Sequence, residues 1–264
     1  LSWWRTKEGE EVVGLIPLCF IPEHNYYGYF PGEVWNGKTW LEQNRLIARD
    51  QEVLRLMLQW FLENKVHHHL RYLLKNPQFP SDFTVEDEIG YLFYPGSFKH
   101  SMEEYYSLFS RKSIKAIRKE VEKMYEKGLT IRCNGANDFE EMLTLNIERF
   151  GTQSYFANNQ FAKSFRSLRD YLDQKGWLRM TAVLMDGRVA AVDMGCIYNG
   201  DYKLLAGGTH SDYPGVAKAI NLYHMQEACN NKYKTVDFLC GDFAWKKLFH
   251  LTPRPLYEVS NIGA

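Results

Sequence analysis

The stretch Leu178–Thr209, LRMTAVLMDGRVAAVDMGCIYNGDYKLLAGGT, decides the fold. Three largely apolar runs are separated by Asp186-Gly187 and Asn199-Gly200. These dipeptides specify two-residue hairpin turns, because such turns need positive φ at both central positions. The spacing predicts strands over 178–185, 188–198 and 201–209, an antiparallel meander.

The elements on either side complete an order. Upstream, Leu129–Cys133 reads as a short strand. Asn137 with Glu140 forms a capping signature for a helix through Phe150, with Phe139, Met142, Leu143 and Ile147 on one face. A second helix is expected over 160–172. Downstream, a helix over 215–230 precedes a strand over 235–240, a short helix over 244–250 and a last strand over 256–261. An antiparallel meander that feeds a βαβ unit implies an α/β fold with a mixed sheet and helices on both faces.

The first hundred residues read as another mixed α/β unit. A hairpin joins Leu1–Arg5 to Val12–Phe20 through Glu8-Gly9-Glu10, and Tyr26–Phe30 is a further strand. A helix over 47–64 carries Val53, Leu54, Met57, Leu58 and Phe61 on one face, and strands follow over 66–74 and 89–94. The expected division is therefore 1–100 and 101–264. Residues 101–128 are strongly helical, with Ile114, Ile117, Val121 and Met124 as the apolar stripe. Arg111, Lys112, Lys115, Arg118 and Lys119 cluster away from it, either as a solvated face or as a platform for an anionic substrate.

Composition bounds the partners. The 32 basic and 32 acidic residues balance, so nothing global points to DNA or an anionic membrane. The five cysteines are widely spaced without a CxxC pair, which indicates neither a zinc site nor a disulfide framework and fits a reducing, cytoplasmic compartment. No apolar run approaches the roughly 20 residues needed to span a bilayer. His67-His68-His69 reads as ordinary strand, since neighbouring strand positions face opposite ways, and no metal is expected. The opening Leu1-Ser2-Trp3-Trp4 lacks an initiator Met and reads as the interior of a longer chain.

Two clusters carry candidate chemistry. In Gly207–Lys218, Pro214 is preset for a helix start and Gly215 permits close approach of a ligand to the backbone. Thr209, Tyr213, Gly215, Val216, Ala217 and Lys218 are the candidate donor-binding residues, the first helical amides favouring a pyrophosphate. The alternative is a simple helix cap. In Val236–Lys246, Asp237 and Asp242 close an apolar strand and Lys246 follows four residues later, where α/β folds keep their chemistry. The alternative there is that Asp242 caps the short helix and Lys246 is solvated.

At these residues the chain resembles the CelD-like acetyltransferases of the GNAT superfamily, relatives of the FemAB peptidoglycan peptidyltransferases. The resemblance rests on the basic helix Arg111–Lys119, on Gly176-Trp177-Leu178 leading to Asp186–Ala191, on Gly207–Gly215, and on Asp237–Asp242 with Trp245-Lys246. It covers about 110–250. Trp245 stands where the family usually has Tyr, which removes a phenol from that position. The resemblance implies tandem GNAT-like units, the N-terminal one incomplete, in a bacterial protein. It also implies acyl transfer from a thioester such as acyl-CoA to an amine, borne by a small molecule or a cell-envelope precursor. A backbone N–H of the strand 201–209 would meet the oxyanion, Asp242 or His210 would act as base, and Lys246 would hold a phosphate or carboxylate or steady the oxyanion. Arg111, Lys115, Tyr155, Asp193, Tyr202 and Asp237 are the candidate substrate-binding residues. The FemAB relatives instead use aminoacyl-tRNA, and a non-catalytic binding module on the same fold is a third alternative.

Overall fold

The computed structural model describes residues 2–22, 24–29, 34–35, 38–39, 42–74, 85–241 and 243–261. In chain order the first elements are β1 (Ser2–Glu8), β2 (Glu11–Ile21), β3 (Tyr26–Gly28), β4 (Val34–Trp35), β5 (Lys38–Thr39), β6 (Ile47–Ala48), α1 (Gln51–Glu63), β7 (His69–Leu74) and β8 (Val85–Phe93). Then come α2 (Met102–Tyr106), α3 (Arg111–Glu126), β9 (Leu129–Cys133), α4 (Asp138–Phe150) and α5 (Asn159–Gln174). β10 (Leu178–Met185), β11 (Arg188–Tyr198), β12 (Asp201–Thr209), α6 (Val216–Asn230), β13 (Thr235–Asp237), α7 (Ala244–Leu248) and β14 (Thr252–Ser260) complete the order. The chain is thus mixed α/β, and it divides into two compact units: residues 1–90 with 240–242 and 253–264, and residues 91–239 with 243–252.

In the first unit, β1 and β2 form the expected hairpin, with Gly9 at positive φ in the turn. Ile16, Leu18, Val53, Leu54, Leu58, Leu70 and Leu73 are buried together, so the apolar face of α1 meets β2 and β7. The side chain of Phe61, expected on that face, lies outside the described residues. β14 pairs with β7 from Leu256 onward, past Pro253 and Pro255, which have no N–H to give a ladder.

The second unit carries the sheet order β8-β13-β12-β11-β10-β9. The meander forms as the sequence predicts, with Asp186, Gly187, Asn199 and Gly200 all at positive φ in its two turns. β12 and β13 run parallel, and every other pairing is antiparallel. Two adjacent glycines show which helices lie on which face. Gly208 packs under α4, where an added Cβ would stand 2.7 Å from the Met142 carbonyl oxygen. Gly207 faces the other way, toward the Asp193 side chain, which bonds to His224 of α6. α4 and α6 therefore cover opposite faces. α3 joins α6 through a cluster of Met124, Val183, Met185, Ala191, Val216, Ala219 and Ile220, in which each buried Val, Ile or Met side chain contributes ~1.5–3 kcal/mol.

Three local expectations need correction. The helical stretch 101–128 breaks after Tyr106, because Ser110 caps a new helix by accepting from the Ser113 N–H at 3.1 Å. Asn137 precedes α4 but its side chain makes no capping bond. Asp138 takes the local bonds instead, accepting from the Gly135 N–H at 2.8 Å and from Arg132. The strand expected to reach residue 240 stops at Asp237, whose Oδ1 captures the Leu239 N–H at 2.9 Å while Leu239 turns to φ +57°.

Candidate functional site

β12 and β13 pair over only three residues, Asp201–Lys203 against Thr235–Asp237. The chain then turns away from β12, and the Phe238 N–H bonds to the Tyr91 carbonyl at 2.9 Å. Among the described residues, Leu204–Thr209 has a strand partner only on its β11 side. A parallel pair that splays in this way leaves one strand edge open at the point where the crossover helix begins.

That helix is α6. Gly215 caps it at φ +87°, a conformation that side-chain-bearing residues rarely adopt. The turn closes through the Val216 N–H on the Tyr213 carbonyl at 3.2 Å and the Lys218 N–H on the Gly215 carbonyl at 2.9 Å. Beside it lies a pocket of about 550 Å³ lined by Met124, Met185, Tyr213 and Val216, with the exposed Lys127, Asp186, Arg188 and Asp212 around them. Glu120 of α3 reaches over the cap: its carboxylate pairs with Lys218, and an added Cβ on Gly215 would stand 2.6 Å from its Oε1. His210 borders the same turn, its Nδ1 accepting from the Asp212 N–H at 3.2 Å and its ring edge-on to Tyr213 at 5.4 Å.

A second polar group sits under the middle of α6. His224 is fully buried against β11 and β12, with Nε2 3.0 Å from Asp193 Oδ2 and Nδ1 2.9 Å from the Tyr202 hydroxyl. A carboxylate only accepts hydrogen bonds, so the proton sits on Nε2 and the Tyr202 O–H donates to Nδ1. Burial pushes the Tyr202 phenol well above its ordinary value and keeps it a donor. Asp193 is the one wet member, with 15% of its side chain exposed.

A third group closes the turn after β13. Lys246, only 2% exposed, donates to the Phe238 carbonyl at 2.9 Å and the Leu239 carbonyl at 2.8 Å. Its ammonium also lies 5.3 Å from the centre of the Tyr91 ring. Asp237 is buried on the same turn. In place of the expected ligand-facing or solvated Lys246 stands a buried cation that donates to main-chain oxygens.

A family model described as an acetyltransferase (GNAT) domain matches residues 110–247. The chain belongs to the GNAT acetyltransferase family. No curated protein sequence matches it. Three solved structures resemble it across both units. A conserved protein of unknown function from Bacteroides thetaiotaomicron aligns with a TM-score of 0.64 at 14% identity, over 94% of this chain and 82% of that one. The C-terminal domain of a putative lysylphosphatidylglycerol synthetase from Agrobacterium fabrum gives 0.62 at 10% identity, over 99% and 84%. FemX gives 0.60 at 12% identity, over 98% and 88%. At these identities the likeness is one of fold, and function must be argued from the site.

On this GNAT domain the expected residues separate into groups. Thr209, His210, Tyr213, Gly215, Val216, Ala217 and Lys218 lie together from the end of β12 to the start of α6. Asp193 and Tyr202 meet through His224, and Tyr202 is fully buried, not cleft-lining as expected. Asp237 and Lys246 share the turn after β13. Arg111 and Lys115 stand exposed on α3, and Tyr155 stacks on Phe161 of α5, on the opposite side of the sheet from α6. Asp242 lies outside the described residues. The sequence reading missed His224 and Glu120. His224 left one trace, a lone imidazole between Ile220 and Ala228 on a buried helix face.

Proposed function

We propose that residues 91–239 with 243–252 transfer an acyl group from a thioester donor, acyl-CoA, to an amine. The pocket of about 550 Å³ beside the start of α6 carries this reading. Its apolar wall of Met124, Met185 and Val216 suits a nucleotide base, and Lys127 and Arg188 offer cations to the phosphates beside Asp186 and Asp212. The dipole of the fifteen-residue α6 points its positive end at the same place. The open edge of β12 can then pair with the amide groups of an extended donor arm, as exposed strand edges do with peptides.

In this arrangement a backbone N–H of Leu204–Thr209 meets the oxyanion that develops as the amine adds to the thioester. The C–N bond forms, the C–S bond breaks, and the thiolate leaves. We take His210 and Asp242 as the candidate bases for the amine proton; His210 would act by releasing the Asp212 N–H from its Nδ1. The reading calls for no metal. The acceptor would be a small-molecule or cell-envelope-precursor amine, met in a bacterial cytoplasm, which the absence of a disulfide among the described cysteines suits. We extend the same reading to the domain plan: a C-terminal GNAT-like domain over about 101–264, and an incomplete GNAT-like unit over about 1–100.

One observation favours an aminoacyl-tRNA donor instead. α3 exposes Lys115, Lys119 and Lys123 along one side. Glu122 and Glu126 share that face, and Arg118 is paired with Glu103 at 2.6 Å, so it is a weaker cationic track than its lysines suggest. Titration calorimetry with acetyl-CoA and longer acyl-CoAs decides between them. The thioester reading expects saturable heat at micromolar to millimolar ligand. No heat with any thioester, together with tRNA binding that weakens steeply with salt, would favour the tRNA reading.

A further inference from the structure

Asp193 is a carboxylate with one oxygen committed and one free. Oδ2 takes the His224 Nε2–H at 3.0 Å, while Oδ1 accepts no hydrogen bond from the described residues. Oδ1 lies over Gly207, where an added Cβ would overlap it, so a larger residue opposite Asp193 in the β11·β12 register would force the carboxylate to move. Gly207 is in the stretch of β12 whose far edge is open. The free oxygen therefore stands within a strand's width of the edge where the acyl group would lie.

The groups behind it are arranged so that this oxygen stays free. Tyr202 O–H donates to His224 Nδ1, which fixes the tautomer and leaves Nε2–H for Oδ2. Both Tyr202 and His224 are fully buried, and Tyr202 packs edge-on against Tyr233 at 6.0 Å, so the imidazole cannot turn away. Placing a carboxylate in an apolar strand between Val192 and Met194 costs stability unless its charge is used. One donated hydrogen bond meets about a quarter of its capacity.

We propose that Asp193 Oδ1 receives the ammonium group of the acyl acceptor, and that His224 and Tyr202 are positioning residues that aim it. The acceptor class is then a primary alkylammonium: a polyamine, an amino sugar or a lysine side chain. The proposal rests on acyl transfer to an amine and is independent of which donor supplies the acyl group.

The test uses the full chain with 15N-labelled histidine and 1,4-diaminobutane as the ammonium probe. The His224 ring should show the Nε2–H tautomer, and its resonances should shift saturably as diaminobutane is added. Asp193→Asn should abolish that shift. A Nδ1–H tautomer, or a diaminobutane shift that persists in Asp193→Asn, overturns the proposal without any donor being present. Acetyl transfer from acetyl-CoA to diaminobutane gives the second readout. Asp193→Asn should raise the amine KM at least 30-fold and leave acetyl-CoA affinity unchanged. The double variant His224→Phe/Tyr202→Phe replaces both buried partners by apolar rings and avoids leaving one of them unpaired. It should fold, bind acetyl-CoA as before, and raise the amine KM about 10-fold, whereas a purely structural role would move only the melting temperature. A wild type that binds acetyl-CoA but acetylates no ammonium probe overturns the proposal. A wild type that binds no thioester overturns the donor reading alone, and the NMR titration still decides the role of Asp193.

Discussion

The two polar regions along α6 follow opposite rules. At its start, Tyr213, Pro214 and Val216 line an open pocket whose polar groups reach solvent. Two turns further on, both ring nitrogens of His224 are bonded and the residue has no exposure. Lys246 follows the second rule: a cation sealed in place by two carbonyls. Open polar groups are held ready for something outside the chain, whereas sealed ones fix the shape of what surrounds them. The two classes should respond differently to substitution.

The largest effect is expected at Lys246. Lys246→Ala leaves the Phe238 and Leu239 carbonyls without their donor and opens a cavity beside Tyr91, so it should cost ~2–4 kcal/mol in urea unfolding. Lys246→Met keeps the volume and should cost about half of that. An unfolding midpoint equal to wild type would move Lys246 into the open class and restore its expected role at the ligand.

Gly215→Val probes the open class and comes next. A β-branched residue at φ +87° is strained by ~1–3 kcal/mol, and its Cβ would meet Glu120 and Met124 at 2.6 Å. Acetyl-CoA affinity in calorimetry should fall at least about 10-fold, since the strain moves the amides that would meet the phosphates. A destabilised variant with unchanged affinity would reduce the turn to a helix cap.

These two residues also show what was legible in the sequence. The meander and α6 were readable to within a residue, because Asp186-Gly187, Asn199-Gly200 and Pro214-Gly215 carry their backbone conformations in their own chemistry. Asp193 drew notice as a carboxylate in an apolar strand. Its partner His224, 31 residues away, did not, because the match depends on which helix face meets which strand register. The fate of Lys246 was hidden for the same kind of reason. The turn that wraps it arises where Asp237 captures the Leu239 N–H and ends β13 early, and periodicity does not encode that competition.

Glu120→Gln should produce a smaller change, and in the favourable direction. The Glu120 carboxylate pairs with Lys218 over the α6 cap, so an incoming phosphate meets a like charge there. The amide removes that charge and frees the Lys218 ammonium. Acetyl-CoA should bind about threefold to tenfold more tightly, with unfolding changed by no more than ~0.5 kcal/mol for a partly exposed pair. Weaker binding would mean that Glu120 orders the site and does not compete for it.

The smallest effect belongs to the sealed class and depends on pH. The Tyr202 phenol is raised above its unfolded value of about 10, so its contribution is fully present below that pH and is lost as pH rises toward the folded value. At pH 7, Tyr202→Phe leaves His224 Nδ1 without a donor and should cost ~1 kcal/mol. Above pH 10 the wild type must keep a phenol un-ionised that the unfolded chain would ionise, a penalty approaching ~1.4 kcal/mol per pH unit that the variant does not share. The gap between wild type and Tyr202→Phe in urea unfolding should therefore narrow between pH 9 and 10.5. A gap that stays constant would mean that the phenol reaches solvent, and His224 with it would leave the sealed class.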